Sequence, residues 1–81
     1  MCELVRRYAV AERWEVEAGH GVPRMRQRGV SFQDIKHALM TGNGCSVQPN
    51  GRWRLVSTDL DGDDLILILF VDDGVLVITI F

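Results

Sequence analysis

Several things are missing from this 81-residue chain, and each absence removes a class of function. No uninterrupted apolar stretch reaches the roughly 18 residues a membrane-spanning helix needs. The N-terminus carries Glu3, Arg6 and Arg7 with no apolar core behind them, so no secretory signal peptide is expected. There are two cysteines, Cys2 and Cys45, without CxxC spacing or a nearby histidine pair. They read as reduced thiols of a cytoplasmic protein, and neither a disulfide nor a metal site is expected. There is no phosphate-binding glycine loop, no dinucleotide fingerprint, no HExxH and no nucleophile elbow. From Leu55 onward the chain has no cation at all.

What is present is one small globular domain. The apolar fraction of 47% excludes a disordered tail. A chain this short buries only about 60–65% of its unfolded surface, which leaves a thin stability margin. Net charge is −2 and unevenly spread. All nine Lys and Arg lie in residues 1–54 against five acids, whereas residues 55–81 hold six aspartates. The aspartates mark turns, and the basic half holds any anion-binding surface.

In chain order, Leu4, Val5, Tyr8, Ala9 and Ala11 at helical spacing predict an amphipathic helix over residues 2–11. Trp14-Glu15-Val16-Glu17 alternates and predicts a brief extended segment. Pro23 is tolerated only in a first helical turn, so a second helix begins near His20 to Val22 and stops at Gly29. Ser31-Phe32-Gln33-Asp34 has the form of a capping box. Phe32, Ile35, Ala38 and Leu39 then give a third helix its apolar stripe, ending at Gly42. Thereafter the period becomes extended: 45–48, about 52–60, Leu65 to Val71 and Val75 to Phe81, separated by turns at Pro49-Asn50-Gly51, Asp61–Asp64 and Asp72-Asp73-Gly74. The connections predict an α+β fold, two or three N-terminal helices on a meander of three to four antiparallel strands. Leu65–Val71 is seven apolar residues without a break, so both faces of the sheet ask for cover. Either the first helix crosses to the second face, or a partner such as a second copy occupies it.

The cations are the chemistry-bearing groups: His20, Arg24, Arg26 and Arg28 around one helix, Arg52 and Arg54 on one strand face. RNA cleavage by the neighbouring 2′-hydroxyl needs no metal. It needs a base, cations to stabilise a pentacoordinate phosphate and an acid for the leaving 5′-oxygen. Arginine suits the second task by its planar fork, and histidine the others by a pKa near neutrality. Any basic helix beside a basic strand meets this description, so the residues alone leave open a non-catalytic RNA- or protein-binding module, or a small homodimeric structural protein.

His20, Arg24-Met25 and Arg28-Gly29-Val30-Ser31 resemble the DUF4258 pattern His-x-x-x-Arg-Met-x-x-Arg-Gly-Ile-Ser, and the ending Val77-Ile78-Thr79-Ile80-Phe81 is similar to that family's close. The resemblance covers residues 12–81. It implies membership of the RelE/MqsR-like toxins, small α+β endoribonucleases paired with a zinc-finger or helix-turn-helix antitoxin and working without a cofactor. It implies catalytic roles for His20, Arg24 and Arg28 and RNA contacts from Arg52, Arg54, Arg26 and Phe81. RelE-like enzymes commonly place a C-terminal tyrosine near the scissile phosphate, and Phe81 has no hydroxyl to offer.

Overall fold

The fold is described from a computed structural model covering residues 1–81. Three helices, α1 (Cys2–Val10), α2 (Gly21–Arg28) and α3 (Phe32–Thr41), accompany five strands, β1 (Trp14–Val16), β2 (Gly44–Val47), β3 (Trp53–Thr58), β4 (Asp64–Asp72) and β5 (Gly74–Ile80). The α+β class and all three expected helices are present. The strand count is not as expected, because a fifth strand joins the sheet. β2, β3, β4 and β5 form the antiparallel meander, and β1 adds to its edge in parallel with β5. That pairing brings Trp14 opposite Val75 and Val16 opposite Val77, and Glu17 N–H donates to Val77 O at 2.8 Å. The extended segment at Trp14–Val16 is as expected, but three residues carry no local signal for a partner strand about sixty residues away.

Helix boundaries follow local chemistry. Gly29 closes α2 with φ 64°, the left-handed value that glycine adopts without strain, and Val30 N–H returns to Met25 O. The Ser31 box is complete: Ser31 Oγ accepts from Asp34 N–H, and Asp34 Oδ2 accepts from Ser31 N–H. Asp34 Oδ1 also accepts from Leu60 N–H, tying this cap to the β3–β4 turn. These donors hold the Asp34 carboxyl below its ordinary value, with Ser31 N–H the main cause.

The core lies between the helices and one sheet face. Val5 and Ala9 of α1, Met25 of α2 and Ile35, Ala38 and Leu39 of α3 pack on Leu55, Leu65, Leu67, Leu69, Val75, Val77 and Ile80. Three residues of the expected stripes do not join them; Ala11, just past the end of α1, is exposed. Leu4 is exposed, because Val5 and Ala9 set the buried line of α1, and Phe32, in the first turn of α3, reaches past the core to sit 6.5 Å from the Trp14 ring. A register shift at Ile68/Leu69 leaves Ile78 as an extra residue in β5. The bulge flips the alternation, so Ile80 follows Val75 and Val77 into the core where Thr79 would have gone.

All three helices cover the same face, so α1 does not cross to the other. The second face is open and carries Val56 (41% exposed), Ile66, Phe70 (48% exposed) and Leu76, with Ile68 buried among them. The cysteine expectation is also corrected: Cys2 and Cys45 form a disulfide between the start of α1 and edge strand β2, with Cα atoms 5.7 Å apart. Helix packing brings together two residues that spacing alone keeps apart. No helix is long and apolar enough to cross a membrane.

Among the glycines, Gly21 makes the closest approach to another stretch of backbone. A Cβ there would lie 2.5 Å from Val16 Cγ1 and 2.8 Å from Val77 O, both held in the sheet. Gly21→Ala is therefore expected to destabilise the fold by about 2 kcal/mol, in the range for overpacking, read as a lower urea midpoint at unchanged slope.

Candidate functional site

The site grows from the end of β1. After Val16 the chain leaves the sheet edge, and residues 17–20 turn it into α2. Glu17 holds this turn. Its Oε1 accepts from Gly19 N–H at 2.8 Å and its Oε2 from His20 N–H at 2.7 Å. Its backbone carbonyl takes Val22 N–H at 3.0 Å. The two backbone donors, Gly19 first, hold the Glu17 carboxyl below the usual carboxylate range. His20 occupies the N-cap position of α2, and its exposed imidazole makes no hydrogen bond.

One turn later, Arg24 lies partly buried against the end of β5. Its Nε donates to Ile80 O at 3.1 Å, its Nη1 donates to Gln27 Oε1 at 3.1 Å, and its guanidinium carbon sits 5.6 Å from the Phe81 ring centre. Guanidinium has five N–H donors, and these bonds use two, leaving three free. Across β4, Arg52 approaches the same place from the start of β3, its side chain unbonded. Gly19, His20, Pro23, Arg24, Gln27 and Arg52 thus line a cleft of about 450 Å³ together with Ile78 and Thr79 of β5. The cleft is open to solvent and its charged side chains are all cationic.

The expected site residues are divided by this geometry. His20, Arg24 and Arg52 come together. Phe81 adjoins them through Arg24, half exposed. Arg54, opposite Ile68 in the β3–β4 register, lies on the open face beside the cleft and not in its wall. Arg26 and Arg28 are exposed on α2 and do not line it. Arg28 stands in the last turn, where a cation meets the negative end of the helix dipole. Reasoning from sequence missed Glu17 and Gln27. A glutamate three residues before a helix-entry histidine is a usable signal for the first; Gln27 gave none.

The turn aspartates stand apart. Asp59, Asp61 and Asp63 gather at the other end of β3, where Asp59 Oδ1 accepts from both Asp61 N–H and Asp63 N–H. Lys36 pairs with Glu12, whose carboxyl is lowered chiefly by that hydrogen bond, and so is unavailable to the cleft.

Residues 18–81 match the model of a family described as a domain of unknown function, DUF4258. The chain belongs to the DUF4258 family. No curated protein and no solved structure matches it. The DUF4258 match spans α2, α3 and the four-stranded meander, and so includes every residue of the cleft. Residues 1–17, with α1, β1 and Glu17, lie outside it.

Proposed function

We propose that the cleft is the active site of a RelE/MqsR-like endoribonuclease that cleaves RNA through its own 2′-hydroxyl, without a metal. The observation carrying this reading is the meeting of His20, Arg24 and Arg52 around one opening, with three Arg24 donors unspent. The 2′-oxygen attacks the adjacent phosphorus, its proton passing to a base. The P–O5′ bond breaks, the 5′-oxygen takes a proton, and a 2′,3′-cyclic phosphate remains. His20 is the cleft's proton carrier, a role made exclusive by the missing hydroxyl of Phe81. Arg24 and Arg52 present N–H donors to the equatorial oxygens as charge builds on them. Arg54 and the exposed Phe81 ring extend the surface for the RNA strand on either side. Arg26 and Arg28 contribute long-range attraction only. An antitoxin of zinc-finger or helix-turn-helix type is the partner this reading carries with it.

The test is incubation of RNA with the purified protein in EDTA. Cleavage leaving 2′,3′-cyclic phosphate and 5′-hydroxyl ends, reduced by about 10²–10⁴-fold in His20→Ala, is the expected outcome. Intact RNA at high protein concentration overturns it. The open apolar face favours a second reading, a non-catalytic module that holds RNA or protein there; binding without cleavage would support that one.

A further inference from the structure

With no hydrogen bond on its ring, His20 is held only through its main chain, which sets where its Cβ stands. That main chain has two partners: His20 N–H donates to Glu17 Oε2 at 2.7 Å, and Arg24 N–H donates to His20 O at 3.2 Å. The first comes from a side chain anchored in the sheet, since Glu17 N–H is itself bonded to Val77 O at 2.8 Å. Both carboxylate oxygens are engaged, one on Gly19 and one on His20, so the turn is clamped at two successive amides. Charge-assisted bonds of this length are about twice as strong as neutral ones. Glu17 is not among the residues that line the cleft. It touches no position a reacting phosphate would occupy.

We infer that Glu17 is a positioning residue: its carboxylate clamps the Gly19–His20 amides and so sets the point on the cleft rim from which the His20 side chain projects. This rests on the endoribonuclease reading for its catalytic consequence, but not for the clamp itself. Both oxygens are needed, which is why glutamine is an imperfect substitute. Its amide group offers one acceptor, and its NH₂ would face the second N–H as a donor.

Two measurements on Glu17→Ala and Glu17→Gln separate placement from chemistry. Amide hydrogen exchange of Gly19 and His20 is expected to accelerate by about tenfold in Glu17→Ala, while core amides such as Val77 keep their protection. In the RNA assay kcat falls about ten- to a hundredfold, with KM held within about twofold because Arg24 and Arg52 still bind the phosphate. Glu17→Gln falls between wild type and alanine in both. Unchanged exchange at Gly19 and His20 overturns the clamp. Faster exchange with unchanged kcat overturns its role in positioning the catalyst. RNA left intact by the wild-type protein overturns the cleavage reading, and exchange alone then decides the clamp.

Discussion

Reduction of the Cys2–Cys45 disulfide is expected to lower the unfolding free energy by about 4 kcal/mol, the largest stability effect of any single bond in this fold. The two cysteines are 43 residues apart, so the cross-link removes a long loop's worth of freedom from the unfolded chain. The loop it closes contains all three helices and β1. In the folded state it ties the first turn of α1 to β2, an edge strand that pairs with β3 alone. For a domain of this size the loss is a large share of a total that runs at about 0.05–0.15 kcal/mol per residue. Urea titration of the oxidised protein, the protein with reductant and Cys2→Ser/Cys45→Ser measures it. The last two are expected to share a lowered midpoint. Three superimposable curves would show that the helix–strand junction holds without the bond.

Arg24→Ala is expected to cost about 10²–10³-fold in kcat for RNA cleavage, the usual effect of deleting one donor aimed at developing charge. Arg24 is singled out over its neighbours because only its guanidinium is both anchored and unsatisfied. Ile80 O and Gln27 Oε1 fix its plane, and Phe81 lies against its face. A donor held in place costs little reorganisation when the phosphate oxygens gain charge. Lysine keeps the charge but loses the fork, so Arg24→Lys recovers only part of the rate. Arg26→Ala and Arg28→Ala are expected to stay within about twofold, since neither lines the cleft. The variant also forfeits the bond to Ile80 O, so thermal melting accompanies the kinetics; about 1 kcal/mol is expected there. A loss in Arg28→Ala equal to that in Arg24→Ala would move the site along the helix and undo the assignment.

The contrast between Arg24 and Arg28 shows where local patterns stop informing. Both share a helix face by spacing, and the sequence ranked them together. Only the end of β5, arriving from the far end of the chain, distinguishes them by offering Ile80 O and Phe81 to one and nothing to the other. Glu17 was passed over for a similar reason. It reads as the outward residue of a short alternating strand, and its task becomes visible only when the turn to α2 folds two amides onto it.

The sequence by itself determined the elements whose causes lie within a few residues. The Ser31 capping box, the Gly29 stop, Pro23 in the first turn of α2 and the aspartate-rich turns are short-range hydrogen-bond and dihedral effects, and each stands where the pattern put it. Tertiary structure decided everything that depends on distant partners. β1 became a strand because β5 had a free edge. Cys2 met Cys45 because α1 packs beside α3, which delivers the chain into β2. One sheet face remained bare because all three apolar helix stripes were used on the other, and a hydrophobic run states how much surface must be buried but not against what.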